Sequence, residues 1–501
     1  MPSPTNAPPN LDPTDWEDFR AVGRRALDEM IDFLQTVRDR PVWQPAPAEV
    51  TRQFRAPLPT APQDLDAVLN DFTTLIRPYA TGNLHPLFMG WVHGAGTPVG
   101  MIAEMLAAGL NANCGGRNHI ALDVERQIAA WSAELFGYPS DASGVFVTGT
   151  SAANHLAVLI ARNACLGDDV RRDGLRWAGG QLVAYTSAEA HGCIKQAMEM
   201  AGIGSRFLRM IPVDAAGAMR IDRLTAAIAA DRAEGLRPFL IAGTAGTVNT
   251  GAFDDLDALA ELARREQIWF HVDGAFGALV ALSPALRPLI RGIARADSIA
   301  FDFHKWAHVP YDAGFLLVRD AERHRRTFSN PAAYLDRAPS GLAAGDVWPC
   351  DLGADLSRGF RALKTWFTLR VHGADKIGAC IAHTCALAKR LEQRLIEHAG
   401  LFEMAAPVAL NIVCFSLRSA TDGALNKAIV IDLQERGIAA PSTTTIGGRT
   451  VIRAAIVNHR TTEDDIDALM VALRDAALRA TLTQMQRTTG DVPAPRAASA
   501  G

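Results

Sequence analysis

An acid and a lysine that could act together follow two apolar segments in the middle of the chain. Asp273 ends the first segment and precedes Gly-Ala, whereas Lys305 follows the second between His304 and Trp306. A carboxylate at the end of a buried strand either accepts hydrogen bonds from nearby backbone amides or pairs with a cation. A lysine among aromatic residues is partly desolvated, which favours an amine nucleophile that can form a Schiff base.

A candidate phosphate site lies earlier in the chain. The apolar residues 144–147 run into Thr148-Gly149-Thr150-Ser151 and then into an apolar helix. A strand, a turn of small residues and a helix N-terminus present free backbone amides and the positive end of the helix dipole, which suit a phosphate. The hydroxyls of Thr150 and Ser151 either add donors to that site or simply cap the helix.

Histidines supply two further candidates. His191 follows the apolar segment 182–185 in the sequence Glu-Ala-His. It is either an ordinary surface or core histidine or a residue that stacks on a planar cofactor ring. His304 and His308 have the spacing of a metal-binding pair, but no acidic residue stands at the spacing of a zinc protease. We therefore expect no metal.

Short β-branched or aromatic segments alternate with helical ones through this region. The predicted strands are residues 145–147, 182–185, 239–242, 268–272, 298–301 and 315–318. Such alternation is typical of βαβ units in an α/β fold with a mostly parallel, doubly wound sheet. Ligands bind such sheets at the carboxyl ends of the strands, where the candidate residues stand.

The flanking regions have other patterns. Apolar residues recur at helical spacing in residues 16–34 and 65–76, which predicts an N-terminal helical arm with an uncovered apolar face. We expect this face to pack on another subunit. Beyond Gly359 the pattern predicts long helices, strands at 412–417 and 451–457, and a final helix from Thr462. That order indicates a smaller α+β domain.

Composition excludes several classes of protein. The 501 residues include 50 Lys and Arg against 54 Asp and Glu, so no basic excess favours a nucleic-acid partner. No stretch reaches the roughly 18 uninterrupted apolar residues of a membrane span. The 7 cysteines include no CxxC pair, a pattern typical of a reduced compartment. We expect a cytoplasmic protein without a membrane partner.

These motifs together resemble the pyridoxal-phosphate-dependent group II amino-acid decarboxylases, the family that includes the aromatic-L-amino-acid decarboxylases. The resemblance is continuous from about Trp16 to Leu478. HVDGA and FHKW, at their separation in this chain, are its most specific part. The segments that carry it are residues 85–98, 148–162, 188–191, 242–256, 269–277, 296–306 and 356–366.

The resemblance implies a cofactor and the residues that hold it. Pyridoxal 5'-phosphate would form a Schiff base with Lys305, and Asp273 would face its pyridine nitrogen. His191 would stack on one face of the ring and Ala275 would pack on the other. The residues implied around the phosphate are Thr150, Ser151, Asp302 and His304.

The resemblance also implies fold type I in a homodimer with shared active sites. Residues 1–84 would form the arm exchanged between subunits at the dimer interface, and residues 85–365 the large cofactor-binding domain. Residues 366–482 would form the small C-terminal α+β domain, and residues 483–501 a disordered tail.

The implied reaction is decarboxylation of an L-amino acid to the amine and carbon dioxide. Trp91, Val92 and His93, after Phe88, would line the substrate pocket, and their aromatic content favours an aromatic or bulky amino acid. Trp91 could equally be core or interface filler. For Arg453 we favour a structural role, because a salt bridge would stabilise the carboxylate that the reaction must remove.

Two departures from the family pattern keep other outcomes open. Relatives carry a proton-donating tyrosine in a mobile loop, here about residues 330–351, but residues 346–349 read Asp-Val-Trp-Pro. Tyr334 aligns better with an earlier position of the loop, so an oxidative reaction giving aldehyde, ammonia and hydrogen peroxide is an alternative. Asp302 replaces the asparagine of aromatic members. A catalytically silent cofactor-binding protein is a third hypothesis, which the intact Lys305, Asp273 and His191 disfavour.

Overall fold

The computed structural model describes residues 10–175, 181–330, 335–345, 347–420 and 423–489. Strands occupy two sheets within these residues. The strands are β1 Ser143–Val147, β2 Leu182–Ser187, β3 Leu208–Ile211, β4 Arg237–Thr244, β5 Trp269–Asp273, β6 Ser298–Asp302, β7 Gly314–Val318, β8 Phe402–Met404, β9 Ile412–Leu417, β10 Ser442–Ile446 and β11 Arg449–Ala455.

The helices cover both faces of the larger sheet and flank the smaller one. They are α1 Trp16–Gln35, α2 Ala48–Gln53, α3 Leu65–Asp71, α4 Pro98–Leu110, α5 Ile120–Phe136, α6 Thr150–Leu166, α7 Val170–Asp173, α8 Cys193–Met200, α9 Ile221–Ala233, α10 Leu256–Glu266, α11 Ala321–Phe328, α12 Arg361–His372, α13 Ala374–Glu397, α14 Ala424–Glu435 and α15 Glu463–Thr489. Of the helices in the described ranges, none has the length and apolar character required to cross a bilayer.

The larger sheet has the order β1-β7-β6-β5-β4-β2-β3. Neighbours from β6 to β3 pair in parallel, whereas β7 runs antiparallel to both β1 and β6. Strands β2, β6 and β7 are buried along their whole length, because helices cover both faces of the sheet. The α/β fold with a mostly parallel sheet is confirmed, and the carboxyl ends of all its strands except β7 lie along one edge.

Local signals explain where several helices begin. The Asp15 carboxylate accepts hydrogen bonds from the amides of Glu17 and Asp18 and caps α1. Asp255 likewise accepts from the amide of Ala258 and caps α10.

The N-terminal arm presents apolar side chains to solvent. Val22 is the buried residue of α1, while Trp16 and Phe19 are 59% and 45% exposed. The second predicted helix ends as α3 at Asp71, and a π-helical turn, Phe72–Ile76, continues it. The arm therefore has the uncovered apolar face expected from the sequence.

The smaller sheet is antiparallel, with the order β10-β11-β9-β8. Helices α13 and α14 pack on it, and α15 packs on these two helices. Helix α12 continues through residue 365, where the sequence placed a domain boundary. The final helix extends to Thr489, whereas the sequence predicted a disordered tail from residue 483. Residues 481–486 are mostly helix formers without proline, and the hydroxyl of Thr483 donates to the carbonyl of Arg479.

One close approach of two backbones fixes the turn after β1. A Cβ atom on Gly314, the first residue of β7, would lie 2.4 Å from the Cα atom of Gly149. Only glycine permits this contact, because any side chain would push the turn away from the sheet. The turn leads directly into α6 and so sets the position of the Thr150 amide.

Candidate active site

The ends of β5 and β6 and the start of α6 meet at the carboxyl edge of the sheet. Asp273 and Asp302 are the last residues of adjacent parallel strands. The Thr150 amide donates a 2.8 Å hydrogen bond to Oδ1 of Asp302. The Asp302 amide donates to the carbonyl of Ala275, which links the two strand ends. Thus residues distant in sequence form one cluster.

Lys305 contacts this cluster through its amine. Its Nζ lies 3.0 Å from Oδ2 of Asp302, whose side chain is 2% exposed, whereas the lysine side chain is 23% exposed. His304 packs alongside, with Nε2 3.7 Å from the same oxygen and Nδ1 accepting from the Ala313 amide. Burial lowers the pKa of His304, which favours the neutral ring that this acceptor role requires. Asp302 therefore holds the helix start and the lysine together.

The hydroxyls at the start of α6 do not cap the helix. The N-cap residue is Gly149, and no side-chain capping bond forms there. The Oγ1 atom of Thr150 is buried and has no hydrogen-bond partner in the described structure, while Ser151 is exposed. Of the two alternatives, capping is not observed, and the Thr150 hydroxyl is free to bind a ligand.

Asp273 is 4% exposed and surrounded by donors. Its Oδ2 accepts from Nδ2 of Asn154 at 3.0 Å and lies 3.6 Å from the thiol of Cys193. Its Oδ1 accepts from the Ala275 amide at 3.2 Å. These contacts suit an ionised carboxylate, which only accepts hydrogen bonds.

His191 lies at the rim of the same site. It precedes α8, is exposed, and its Nδ1 accepts from the Cys193 amide at 3.2 Å. The thiol of Cys193 lies 3.6 Å from Asp273. His191 is only two residues before Cys193 in the chain, so it lies close to the same carboxylate. Ala275, two residues beyond Asp273, is half-buried.

An aromatic wall leads from the surface to the lysine. The ring of His93 stacks on Phe88 and on Trp91, with centroids 5.7 Å apart in each case. Tyr311 meets His93 edge-on at 6.1 Å and lies 4.4 Å from the ring of His304. A Cβ atom on Gly94 would lie 2.4 Å from the carbonyl oxygen of Lys305, so the segment that carries the wall passes directly against the lysine's backbone. Burial, and then the charge of Lys305, lower the pKa of His93.

The three predicted pocket residues face different surroundings. Trp91 is 55% exposed and His93 is half-buried in the aromatic wall, whereas Val92 is 5% exposed and packs in the main hydrophobic core. The rings of Trp91 and His93 therefore lie on the same side of the segment, stacked on each other, and Val92 faces away into the core.

Arg453 of β11 is a structural residue, as the sequence favoured. It is 3% exposed and donates to the carbonyls of Trp91 at 3.1 Å, Asn249 at 3.2 Å and Val248. Burial lowers its pKa to about 10. These bonds join the smaller sheet to the segment that carries Trp91 and leave the guanidinium directed at backbone oxygens.

The loop after α11 carries Trp348, one of the four residues, 346–349, where the family resemblance predicts a tyrosine. Trp348 is 1% exposed, its amide donates to Asp351, and the Arg337 guanidinium lies 3.4 Å from its ring centroid. Gly116 packs directly against the indole. Trp348 thus anchors the loop. Tyr334 and Asp346 lie outside the described residues.

Two residues of the site were not predicted from the sequence. Asn154 lies one helical turn after Thr150, and this i, i+4 spacing could have placed it at the same edge. Tyr311 lies only six positions after Lys305 (311 − 305 = 6), but its direction depends on the path of the chain between β6 and β7.

Known proteins resemble this chain in sequence and in fold. Residues 47–418 match the family model described as the pyridoxal-dependent decarboxylase conserved domain. The chain is 31% identical to an aromatic-L-amino-acid decarboxylase of Bacillus atrophaeus, over 92% of this chain and 96% of that protein. It is 30% identical to a phenylacetaldehyde synthase of Arabidopsis thaliana, over 93% and 97% of the two chains. The crystal structure of Oryza sativa TDC with PLP and tryptamine superposes with a TM-score of 0.86 at 25% identity, covering 94% of this chain and 99% of that one.

Arg453→Met should destabilise the protein, because three partly buried hydrogen bonds from a charged donor to backbone carbonyls are lost. We expect a loss of about 3 kcal/mol in the free energy of unfolding, measured by denaturant titration. Arg449→Met, on the same strand, removes only a surface pair with Glu403 and should cost less than about 1 kcal/mol. Equal losses for the two variants would contradict the structural role of Arg453.

Proposed function

We propose, since the chain belongs to the pyridoxal-dependent decarboxylase family, that it converts an aromatic or bulky L-amino acid to its amine and carbon dioxide. Because it belongs to this family, the protein is a decarboxylase whose cofactor is pyridoxal 5'-phosphate. The choice of substrate rests on one observation, the aromatic wall of Phe88, Trp91, His93 and Tyr311 beside Lys305. Aromatic rings recognise an aromatic side chain by stacking and edge contacts.

The residues at the sheet edge fit the cofactor. The buried, unpartnered hydroxyl of Thr150 is the kind of orphan donor that a phosphate would satisfy, and it stands at a helix N-terminus. We propose that Lys305 holds the aldehyde carbon, Asp273 the ring nitrogen, and His191 and Ala275 the two ring faces. Thr150, Ser151 and His304 would surround the phosphate. When bound, the cofactor supplies an electron sink for the bond to the departing carboxylate.

Asp302 has a different part in this proposal. Its carboxylate is already bonded to the Thr150 amide and to the lysine amine. A second anion beside a phosphate would be repelled, so we assign Asp302 to positioning the helix start and Lys305. The backbone bond from Asp302 to Ala275 supports that role.

Tyr311 is our candidate proton donor. Burial, and then the charge of Asp302, raise its pKa to about 12, so its hydroxyl remains protonated at neutral pH. Its ring lies 4.4 Å from that of His304, the neighbour of Lys305, and 6.1 Å from that of His93 in the proposed substrate pocket. A protonated hydroxyl there can deliver a proton to the carbon from which carbon dioxide departs, which yields the amine.

The second candidate reaction is oxidative. In it the amino acid, dioxygen and water give an aldehyde, carbon dioxide, ammonia and hydrogen peroxide. The specific support is Trp348, which replaces the family tyrosine and anchors the loop, together with the likeness to a phenylacetaldehyde synthase. Slow protonation after loss of carbon dioxide would favour this outcome.

We also propose that two copies associate through the N-terminal arm. The supporting observation is the row of apolar side chains that α1 and α3 expose, including Trp16, Phe19, Leu65 and Val68 at 45–59% exposure. Such a face requires a partner surface in water. In the same proposal each active site is shared between the subunits.

A cytoplasmic location is proposed on the cysteines. All seven are free thiols, and burial raises the pKa of Cys114 and Cys414 to about 11. Buried thiols of raised pKa are typical structural cysteines of reducing compartments.

The holoenzyme should release carbon dioxide from L-tryptophan, L-phenylalanine or L-tyrosine faster than from L-glutamate, because the aromatic wall favours planar side chains. Amine and peroxide should be measured in the same reactions. An amine yield equal to the carbon dioxide supports the decarboxylase, and an equal peroxide yield supports the oxidative reaction. No carbon dioxide from any amino acid would contradict both.

Thr150→Val should leave the stability of the cofactor-free protein unchanged or slightly higher, since it removes an unpartnered hydroxyl. Affinity for pyridoxal phosphate should fall about tenfold, the effect of one lost hydrogen bond to an anion. Fluorescence titration measures the affinity. Thr368→Val, which removes another buried unpartnered hydroxyl on α12, is the matched control. Equal affinities for the two variants would exclude the assigned role of Thr150.

Tyr311→Phe should lower the rate of amine formation about 100-fold, as expected for loss of a general acid. The fraction of turnovers that yield peroxide should rise, because protonation becomes slower. Tyr79→Phe, in the N-terminal arm, should change neither quantity. An unchanged rate and product ratio for Tyr311→Phe would remove Tyr311 as the donor.

Phe19→Glu combined with Val68→Glu should convert a dimer to a monomer, because charges replace the exposed apolar contacts. Sedimentation velocity reports the mass. Arg20→Ala, which removes only a surface pair with Glu17 in the same helix, should leave the dimer intact. A monomeric parent protein, or a dimeric double variant, would contradict the arm-mediated association.

A further inference from the structure

We propose that a chain of four side chains, the half-buried Trp269 and the buried Ser298, His271 and Asn154, positions Asp273 through hydrogen bonds that all point towards its carboxylate. The inference rests on the proposed function in one respect, that Asp273 faces the cofactor ring. The four residues touch neither Lys305 nor the aromatic wall in any bond described above, so they are positioning residues.

The contacts are continuous. The indole Nε1 of Trp269 lies 2.9 Å from Oγ of Ser298, which lies 2.8 Å from Nδ1 of His271. Nε2 of His271 lies 2.7 Å from Oδ1 of Asn154, and Nδ2 of Asn154 lies 3.0 Å from Oδ2 of Asp273. His271, Asn154 and Ser298 are each 0% exposed.

The two ends of this chain determine the direction of every bond. An indole N–H can only donate, and an ionised carboxylate can only accept. Ser298 must therefore accept from Trp269 through one lone pair, and the direction of its bond to His271 follows from the other end of the chain. The amide nitrogen of Asn154 must face Asp273, so its oxygen must accept from Nε2 of His271.

The protonation state of His271, in the middle of this chain of hydrogen bonds, agrees with these bond directions. Burial lowers the pKa of His271 to about 3, so the ring is neutral at physiological pH and carries one proton. That proton must be on Nε2, because Oδ1 of Asn154 can only accept, and Nδ1 then accepts from the Ser298 hydroxyl. Any other tautomer would leave two acceptors or two donors facing each other in the interior, which costs about 1–3 kcal/mol per unsatisfied group.

Strand geometry brings the members together. Trp269, His271 and Asp273 are alternate residues of β5 and so share one face of the sheet. Ser298 is the register partner of His271 on β6. Asn154 projects onto the same face from α6, the helix that begins at the proposed phosphate site. The chain thus couples the helix that carries Thr150 to the acid at the end of β5.

The consequence is an Asp273 whose orientation and charge are fixed before any ligand arrives. Asn154 and the Ala275 amide each donate to one carboxylate oxygen, and the Cys193 thiol lies near the oxygen that Asn154 contacts. Donors stabilise the ionised form, which is the form that can hold a protonated ring nitrogen. A buried network of purely structural importance would stabilise the fold without affecting that nitrogen.

The first test is the tautomer of His271. In protein labelled with ¹⁵N-histidine, NMR should show the His271 ring as the neutral Nε2–H form from pH 5 to 8, with the resonance assigned by its loss in His271→Gln. A neutral Nδ1–H form, or a cation at pH 6, would overturn the proposed direction. This measurement uses the unmodified chain and does not depend on the folding of a variant.

The second test separates positioning from structure. Asn154→Leu should weaken binding of pyridoxal phosphate about tenfold, the effect of a lost bond to an ion. With cofactor ¹⁵N-labelled at the ring nitrogen, its NMR signal should shift towards the unprotonated form in the Asn154→Leu holoenzyme. Ser298→Ala should shift it in the same direction by less. Asn163→Leu, a buried asparagine farther along α6, is the matched control.

An unchanged ring-nitrogen signal and unchanged cofactor affinity in Asn154→Leu would overturn the inference, even if the variant melts at a lower temperature. Failure of the underlying assignment of Asp273 is distinguishable, because Asp273→Asn would then leave the ring-nitrogen signal of the bound cofactor unchanged. If Asn154→Leu does not fold, Ser298→Ala and the tautomer measurement decide the matter.

Discussion

The carboxylate of Asp302 is the contact on which the arrangement of the site depends. It accepts the first amide of α6 through one oxygen and lies 3.0 Å from the Lys305 amine through the other. This one buried carboxylate thereby holds together the start of α6, the end of β6 and Lys305. The Thr150 amide can reach this carboxylate only because Gly149 and Gly314 allow the turn after β1 to lie directly against the sheet. A displaced turn would move the Thr150 amide away from its acceptor.

The polar groups at this edge of the sheet are buried, so their hydrogen bonds decide their stability. The strands supply an apolar interior, so each polar group there requires a partner or loses free energy. Asp302, Asp273 and His271 all have partners, whereas the hydroxyl of Thr150 has none in the described structure. The buried acids have hydrogen-bond partners and the Thr150 hydroxyl has none, so a ligand would form new hydrogen bonds at that hydroxyl.

Much of this could be predicted from the sequence, and the reasons for the failures are physical. Apolar segments end at Asp273 and Lys305, so local periodicity was enough to place both at one sheet edge. Strand β10 was not predicted, because its three consecutive threonines acquire strand structure by pairing with β11. The contact between Asn154 and Asp273 was missed, since it depends on how α6 crosses β5. That crossing is a tertiary property which no local pattern contains.

The central claim is that Lys305 carries the cofactor, and covalent trapping tests it most directly. The holoenzyme should be reduced with borohydride, digested and mapped by mass spectrometry. The account predicts a pyridoxyl group on the peptide that contains Lys305, with no label on the buried Lys364 or on other lysines. A label on another lysine, or none on any, would contradict it.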